Sequence, residues 1–331
     1  MNSIQTSAPG KVFIAGEYAV LDGAPAICMA VDCRAYVSIA ESDQPFHSVI
    51  APGRLQTPGR FYANSRGLEW LQGEADYPLL TAVWEELAAT PRQYLSIVLD
   101  SNEFADARTG VKYGVGSSAA LTVALAAALC AALGRDQRVD GIARDAHRKL
   151  QNGAGSGADI ACSLHGGVIA YRINESAPTA LQWPTDLHYA LLWSGVSANT
   201  TAQLTRLAAT AAGSTRAGLC AAASKVAATW PGGQSTDIIA ALHEYAAALR
   251  RFDDEHALGI HDAGHAGLAE AAESCGVVYK PCGAGCGDLG IVMASDRAAV
   301  DTFASRAQAH GFTRVRMSVD MSGLRRDGVR P

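Results

Sequence analysis

The segment 112–119, which we call the central loop, carries the residues whose types and spacing are best suited to chemistry. A lysine opens it, and two glycines and two serines follow within six residues. The apolar run 119–133 predicts a buried helix that begins near Ser117. Because the first N–H groups of a helix are unpaired and lie at the positive end of its dipole, this helix start can hold an anion. The hydroxyls can also bind phosphate oxygen or Mg²⁺, so the central loop predicts a triphosphate site.

One other interpretation is open for the central loop taken alone, and two further motifs fail on their context. A strand-to-helix turn whose serines merely cap a buried helix has the same composition. A Walker motif requires its lysine after the glycines, whereas Lys112 precedes them. A dinucleotide fingerprint would add an acidic ribose ligand, and Asp136 has the appropriate spacing, but acidic residues are common on surface loops. The rest of the chain has to decide between an anion site and a turn that only caps the helix.

Other glycine turns strengthen the anion-binding interpretation. Residues 8–18 place Lys11 directly after a glycine, at the edge of a predicted strand. Residues 280–288, which we call the third loop, hold three glycines and end in Asp288. A purely structural role for all of these turns is hard to explain, so they favour a binding cleft.

Composition and charge limit the class of protein. A chain of 331 residues is long enough for two domains with a cleft between them. The formal charge of −5 gives no general attraction to nucleic acid or anionic membranes. The N-terminus lacks a signal-peptide pattern, and the longest apolar run has 15 residues, fewer than the roughly 20 that span a bilayer. We therefore expect a cytoplasmic protein.

The periodicity predicts a mixed α+β chain in two lobes. The segment 174–185 contains two prolines and is the best linker candidate, which divides the chain into domains 1–182 and 183–331. The predicted elements of the first domain are paired strands at 11–20 and 26–40, a helix at 78–89, a strand at 94–99, helices from 117, at 140–150 and from about 159, and a strand at 167–173. The predicted elements of the second are strands at 189–193, 277–280, 289–294 and 313–319, helices between 200 and 272, and a helix at 297–310.

The eight cysteines are scattered along the chain, which is typical of thiols rather than of a secreted disulfide framework. Four residues, Cys282, Cys286, His261 and His265, could be drawn as a zinc site. Glycines fill the spacing between the two cysteines, however, and this favours another use for the third loop.

In this order and at these separations, residues 8–18, the central loop and the third loop resemble the three signature motifs of the GHMP kinase family. The resemblance covers nearly the whole chain. It is strongest to the phosphomevalonate kinase branch, through residues 16–21, 112–113, 155–161 and 283–288. Membership implies a two-lobed α+β fold, with a first lobe like the second domain of ribosomal protein S5 and an α/β-sandwich second lobe. It also implies ATP and Mg²⁺ as cofactors and phosphomevalonate as the acceptor.

The resemblance implies a set of site residues. Ser118 would bind the metal, and the segment 194–201 would hold the acceptor phosphate, unless its hydroxyls only cap a helix. The implied catalytic residues are Lys11, Lys112 and Asp159. The implied nucleotide-binding residues are Gly114, Val115, Gly116, Ser117, Ser118 and Ala119. The implied substrate-binding residues are Lys11, Glu17, Tyr18, Ser156, Gly157, Ser197, Gly283, Ala284 and Gly285.

A phosphate acceptor changes what the site must do. Its second pKa lies near 6, so it is mostly dianionic at neutral pH and needs no strong general base. Its difficulty is repulsion from ATP, which Lys11 and Lys112 would offset. We therefore expect Asp159 to orient Lys11, a role compatible with capping the helix that follows Gly157.

The chain departs from the family pattern at two positions. Cys286 occupies a place that is usually glycine, and we expect the third loop to tolerate it through a negative φ. Mevalonate kinases carry a glutamate eleven residues before the aspartate, whereas this chain has Arg148, so the second metal ligand is open and Asp145 is one candidate.

Two further functions compete with the first. One is another small-molecule kinase of the family, acting on mevalonate, a sugar or homoserine; a decarboxylase of the family fits the kinase-like third loop less well. The other is a non-catalytic regulator that binds the same ligands. The assembly is expected to be a monomer or a homodimer.

Overall fold

A computed structural model describes residues 3–135, 139–173, 175–198, 200–208 and 213–330 of the chain. Asp136, the candidate ribose ligand, lies outside the described residues. Asn199, in the segment 194–201 that would hold the acceptor phosphate, lies outside them as well. The strands are β1 Ser3–Ala15, β2 Ala26–Glu41, β3 His47–Ile50, β4 Gly59–Asn64, β5 Gly67–Gln72, β6 Leu95–Asp100, β7 Val168–Tyr171, β8 Thr179–Leu181, β9 His188–Trp193, β10 Val278–Pro281, β11 Leu289–Ala294, β12 Thr313–Val315 and β13 Arg325–Arg330. The helices are α1 Pro78–Leu87, α2 Ser117–Ala132, α3 Val139–Leu150, α4 Ala158–His165, α5 Thr200–Ala208, α6 Ser214–Thr229, α7 Ser235–His256, α8 His265–Cys275 and α9 Arg297–Arg306.

The first sheet is built on the long antiparallel pair β1 and β2. Within the described residues its order is β13-β1-β2-β6-β3-β4-β5, and β7 and β8 extend it from β2. Helix α2 lies against β1 and β2 and is buried on almost every side. An apolar helix of this kind is stable only inside a core, as the run 119–133 predicted. The core therefore fixes the position of Ser117, where the helix begins.

The second sheet has the order β10-β11-β9-β12 and is antiparallel throughout. Successive side chains of a strand point to opposite faces. On β9, Leu192 accordingly packs with α8 and α9, whereas Leu191 belongs to the main core that also includes α6 and α7. Helices thus cover both faces of this sheet, and the core continues from one lobe into the other.

The structure confirms most predicted elements, but it adds the unpredicted strands β3, β4 and β5, ends the predicted strand 11–20 at Ala15, and differs in three further regions. The segment 174–185, predicted as a linker, contains β8, which pairs with β7. The predicted strand 313–319 is shorter, because β12 ends at Val315. The C-terminal residues form β13, which pairs with β1 of the first sheet. The boundary between 182 and 183 remains a prediction, and β13 shows that the end of the chain returns to the first lobe.

A buried arginine holds that returning segment. Arg34 on β2 forms an ion pair with Asp320 and donates to the carbonyl oxygens of Ser7 at 2.8 Å and Gly323 at 2.7 Å. These groups have left water, so they are stable only while every partner is present.

Among the described residues, no helix is both long enough and apolar enough to cross a membrane.

Candidate active site

A cavity of about 300 Å³ lies between the central loop, the turn after β1, the α3–α4 segment and the third loop. Its lining includes almost every predicted site residue: Lys11, Glu17, Tyr18, Lys112, Gly114, Val115, Gly116, Ser117, Ser118, Ala119, Ser156, Asp159, Ser197, Gly283 and Ala284. Two predicted residues lie elsewhere. Gly157 lines an adjoining cavity, and Gly285 packs against the backbone of Ile260.

The central loop presents a free helix start to this cavity. Gly116 is the N-cap of α2, with φ of 80°, so Ser117 and Ser118 stand in the first turn and neither is the capping residue. The interpretation of these serines as caps is therefore wrong. Gly114 also has a positive φ, 82°, and a Cβ there would lie 2.1 Å from Cγ of Asp288. Only glycine allows this approach of the central and third loops.

Lys11 lies between the two loops. Its amide donates to the carbonyl of Val115 at 2.8 Å, and its ammonium lies 4.8 Å from the centre of the Phe13 ring. A Cβ at Gly116 would be 3.1 Å from Cε of Lys11, and a Cβ at Gly283 would be 3.8 Å from its Nζ. The ammonium is therefore held at the meeting point of both glycine loops, with only 9% of the residue exposed.

Lys112, at the start of the central loop, also lines the cavity. Its side chain is exposed, while its carbonyl accepts a hydrogen bond from Nε1 of Trp193 at 3.2 Å. The backbone is thus anchored to the second lobe and the charged end can adapt to a ligand. This is the pattern expected of a lysine that meets a phosphate.

Asp159 stands in the first turn of α4, after the N-cap Gly157. One carboxylate oxygen accepts the amide of Ile160 at 2.9 Å, and the other lies 3.6 Å from Nδ1 of the buried His147. The carboxylate lines the same cavity as Lys11. Its predicted role in orienting Lys11 stays a prediction. His147 belongs to the basic run 147–149, for which the sequence offers two interpretations, a group that faces the acceptor or a solvated face; the structure buries His147 beside Asp159.

Glu17 and Tyr18 line the cavity, but their polar groups bind protein. Glu17 forms a buried ion pair with Lys280 and accepts the hydroxyl of Tyr245 at 2.7 Å. The hydroxyl of Tyr18 donates to the carbonyl of Ala284 at 2.6 Å, and burial raises the pKa of this tyrosine far above its ordinary value. Both side chains are thus committed to contacts across the lobes, and substrate binding by them remains a prediction.

Asp288, at the end of the third loop, is a site residue missing from the predicted set. Its carboxylate lines the cavity and accepts the amide of Ala198 at 3.0 Å. Burial raises the pKa of Asp288, while the Ala198 amide and the charges of Lys11 and Lys112 oppose that rise. The feature of the sequence that could have identified Asp288 as a site residue is its position directly after the last glycine of the third loop.

The expectation for Cys286 is wrong: its φ is 63°, in the left-handed region. The loop keeps this conformation because the cysteine is held from several sides. Its amide donates to Ile260 at 3.2 Å, its thiol donates to the carbonyl of Leu258 at 3.3 Å, and the Gln203 amide donates to the sulfur. These contacts offset a conformational cost of about 1 kcal/mol.

The candidate zinc ligands have other partners. His261 bonds to Asp253 at 2.8 Å. His265 bonds through Nδ1 to the Tyr279 hydroxyl at 2.7 Å and through Nε2 to the carbonyl of Gly287 at 2.9 Å. Within the part of the chain that the structure describes, no cluster of three or more histidine, cysteine or acidic side chains is arranged to hold a metal.

The cavity nevertheless offers oxygen donors suited to Mg²⁺. Ser118, Asp159 and Asp288 all line it, and Mg²⁺ prefers carboxylate and hydroxyl oxygens together with phosphate oxygens of a substrate. Asp145, the candidate second ligand, instead lines the adjoining cavity. The donor set therefore fits a metal that arrives with a nucleotide rather than one held by protein alone.

The adjoining cavity, of about 590 Å³, is lined by more basic than acidic side chains. Arg144, Arg148 and Arg216 line it, with Asp145 as the acidic member, and it shares Ser156 and other residues with the first cavity. Arg144 and Arg216 also form ion pairs with acidic residues on the surface. Arg148 makes one long hydrogen bond, from Nε to the carbonyl of Gly153 at 3.5 Å. Of the three arginines, it is therefore the one best placed to meet a ligand.

Comparisons with known proteins agree with this geometry. A family model described as the GHMP kinases N terminal domain matches residues 79–167, a range that contains the central loop and α4. A phosphomevalonate kinase of Streptomyces sp. (strain CL190) is 30% identical, over 90% of this chain and 92% of its own. A mevalonate kinase of Pyrococcus abyssi is 33% identical, but that match spans only 52% of each protein.

A solved structure shows the fold. The phosphomevalonate kinase of Streptococcus pneumoniae, in complex with phosphomevalonate and AMPPNP, superposes with a TM-score of 0.77 at 19% identity, covering 96% of this chain and 100% of that one. The fold is therefore the two-lobed α+β fold of small-molecule kinases. On the whole-length similarity to the Streptomyces enzyme, the chain belongs to the GHMP kinase family.

Proposed function

We propose that this protein transfers the γ-phosphoryl group of ATP to (R)-5-phosphomevalonate, giving (R)-5-diphosphomevalonate and ADP in the mevalonate route to isoprenoids. The relative that is similar along nearly the whole chain bears the name of that activity, whereas the mevalonate kinase of Pyrococcus abyssi matches about half of it. The structural observation that carries the proposal is the distribution of positive charge around the cleft.

An acceptor that already carries a phosphate brings a second anion beside ATP. Lys11 and Lys112 both line the cavity, and the free start of α2 adds its unpaired N–H groups. Arg148 in the adjoining cavity adds a positive charge beyond Ser156, whereas Arg144 and Arg216 there are paired with acidic residues. Such a cleft favours an acceptor with anionic groups over a neutral sugar or an uncharged alcohol.

In the proposed reaction, an oxygen of the acceptor phosphate attacks the γ-phosphorus. The new P–O bond forms as the bond to the oxygen bridging the β- and γ-phosphorus atoms breaks, and ADP carries that oxygen away. The acceptor is mostly dianionic at neutral pH, so no residue has to remove a strongly held proton. Lys11 and Lys112 reduce the repulsion between the two anions and stabilise charge that spreads over the moving group.

Magnesium would bind with the nucleotide near Ser118, with Asp159 or Asp288 as carboxylate neighbours, and would supply further charge neutralisation. Asp159 and His147 keep their mutual contact on the acceptor side. The protein's own task is positional: it holds two lysines, one helix start and two glycine loops around one small space.

The test is ADP release with Mg-ATP and either (R)-5-phosphomevalonate or (R)-mevalonate, in the wild type and in Lys112→Ala. We expect preference for the phosphorylated acceptor and a loss of kcat of about 100-fold or more in the variant. Lys225→Ala, an exposed lysine of α6 paired with Glu244, is the matched control and should retain full activity.

Other outcomes select the alternatives. Turnover of mevalonate but not its 5-phosphate would overturn the proposal in favour of a mevalonate kinase, and turnover only of a sugar or homoserine would favour another branch. Tight binding of ATP without turnover of any acceptor would favour a regulator. Omission of magnesium should abolish turnover if the metal arrives with the nucleotide.

The basic cavity gives a second test. Arg148→Gln should raise the KM for (R)-5-phosphomevalonate about tenfold, equivalent to about 1.4 kcal/mol, and leave the KM for ATP unchanged. Arg306→Gln, at the end of α9, is the control arginine. An unchanged KM for the acceptor in Arg148→Gln would show that this cavity takes no part in acceptor binding.

A further inference from the structure

A buried polar cluster joins the two lobes directly behind the cleft. It consists of Glu17 in the turn after β1, Lys280 on β10 and Tyr245 on α7. The ammonium of Lys280 is fully buried and bonds to Glu17 and, at 2.9 Å, to the carbonyl of Pro281. The other oxygen of Glu17 accepts the Tyr245 hydroxyl at 2.7 Å. The polar groups of all three side chains thus have partners within the cluster or on the backbone beside it, although a buried ion pair of this kind is weak evidence for added stability.

Tyr18 makes a second connection from the same turn. Its backbone has φ of 61°, which a non-glycine residue keeps only when its surroundings hold it there. Its ring packs against Phe252 of α7 with ring centres 5.4 Å apart, and its buried hydroxyl donates to the carbonyl of Ala284 at 2.6 Å. The turn after β1 is therefore attached both to the strand that enters the third loop and to the loop itself.

The segment held in this way lies beside Lys11. Ala284 follows Gly283 directly, and a Cβ added at Gly283 would be in ordinary van der Waals contact with Nζ of Lys11, at 3.8 Å. The opposite side of the lysine faces Gly116. A shift of the third loop would therefore open the space on one side of Lys11 and let its ammonium move away from the central loop.

We infer that Glu17, Lys280, Tyr245 and Tyr18 are positioning residues, which hold the third loop against Lys11 so that its ammonium faces the transferred phosphoryl group. The inference rests on the proposed function only to the extent that Lys11 acts on an anion in the cleft. It does not depend on which acceptor is phosphorylated. Tyr18 and Glu17 act through the protein, and neither needs to touch the substrate.

A merely structural role for these residues makes a different prediction. If they only add stability, their replacement lowers the melting temperature and leaves the kcat of the folded fraction unchanged. If they position Lys11, kcat falls while the fold survives, and the loss disappears when Lys11 itself is absent. Effects of residues that act through one group are non-additive, whereas independent effects multiply.

The first experiment is a double-mutant cycle of Tyr18→Phe and Lys11→Met. Tyr18→Phe keeps the ring and removes only the hydroxyl, so we expect about a tenfold loss of kcat and a small change in the KM for ATP. In the Lys11→Met background the same change should alter kcat less than twofold. A further tenfold loss there would overturn the inference, as would full kcat in Tyr18→Phe alone.

Tyr189→Phe is the matched control. Its hydroxyl also donates to a backbone carbonyl, that of Met317 at 2.9 Å, but on β9 at a distance from the third loop. It should lower the melting temperature about as much as Tyr18→Phe and leave kcat unchanged. An equal loss of kcat in both variants would indicate general loosening of the fold rather than positioning.

The second experiment addresses the charged pair. Lys280→Met alone leaves the Glu17 carboxylate buried without a cation and is expected to unfold the protein partly. The double variant Glu17→Gln with Lys280→Met removes both charges together, so it should fold and still lose kcat about tenfold. A folded double variant with wild-type kcat would contradict the role of the pair.

A measurement that needs no turnover completes the test. Hydrogen–deuterium exchange of the full chain should show faster exchange of the amides at 283–287 in Tyr18→Phe and in the charge-free double variant, but not in Tyr189→Phe. Unchanged exchange in the third loop would overturn the inference even if the kinetics agreed. If no acceptor in the panel is turned over, the proposed function fails while this measurement still decides the positioning role.

Discussion

The central loop and the third loop line the same cavity, yet they reach their shapes in different ways. The central loop combines strong local signals, a glycine N-cap, two serines in the first turn and a buried apolar helix, with a few remote contacts from Lys11 and Trp193. The third loop has positive φ at Gly283, Gly285, Cys286, Gly287 and Asp288, and each is held by a remote contact or faces remote atoms.

The partners of the third loop come from almost the whole chain. Tyr18 holds Ala284, Ile260 packs on Gly285, and His265 holds Gly287. The two serines at the free helix start of the central loop need no such partners, whereas Gly114 of that loop faces Asp288. Substitutions of these serines should therefore change kinetics and leave stability intact, whereas substitutions in the third loop should change both.

The largest expected effect is at Gly285. A Cβ there would lie 2.5 Å from the backbone of Ile260 at a φ of 72°, so Gly285→Ala should lower the free energy of unfolding by about 3 kcal/mol or more. Gly276→Ala is the control, because Gly276 has a similar φ of 65° and no atom within 4 Å of an added Cβ. It should cost only about 1 kcal/mol. Equal losses by urea unfolding would show that the contact with Ile260 is unimportant.

The next effect depends on pH and on His265. Burial lowers the pKa of His265 from 6.5 to about 4, so its neutral form, which donates to the carbonyl of Gly287, is the stable one. Stability from this histidine is complete above pH 6.5 and is lost as pH falls towards 4, by roughly 3 kcal/mol in all.

His265→Gln keeps a donor and an acceptor but cannot take up the proton. The stability difference between wild type and this variant should therefore narrow steadily between pH 6.5 and pH 4, as measured by urea unfolding at each pH. The exposed His310→Gln serves as the control. A difference that stays constant over this range would show that folding does not lower the pKa of His265.

In the central loop, Ser118→Ala should reduce kcat about 100-fold, equivalent to about 2.7 kcal/mol in the barrier. The hydroxyl is exposed to the cavity, so the melting temperature should stay within about 1 °C of the wild type. Ser305→Ala on α9 removes a hydroxyl that bonds only within its own helix and is the control. A drop in stability as large as that of Gly285→Ala would end the distinction between the two loops.

The smallest expected effect concerns Cys286. Cys286→Gly relieves about 1 kcal/mol of left-handed strain and loses a similar amount through chain entropy and the thiol contacts, so stability should change little. Cys286→Ala keeps the strain and loses the hydrogen bond to Leu258, so this variant should be less stable than both the wild type and Cys286→Gly. Thermal unfolding of the three proteins gives the order, and an alanine variant more stable than the glycine variant would contradict the strain argument.

Much of the cleft could be predicted from the sequence because its signals are local. The helix predicted from Ser117 begins at that residue, and 15 of the predicted site residues line one cavity. The wrong or missing expectations share another origin. The φ of Cys286, the strand β8 in the supposed linker and the entry of Asp288 into the cavity all depend on residues far away in the chain.

The sequence by itself determined which elements of this protein are candidates for anion binding, since a glycine turn before an apolar helix exposes N–H groups wherever it occurs. It also determined the family, through motifs whose order the sequence displays directly. Only the tertiary structure decided how those elements meet. The bonds of Tyr18 to Ala284 and of Tyr245 to Glu17 join residues 266 and 228 positions apart. Such contacts form because packing and burial bring their partners together, and no local pattern of residues specifies them.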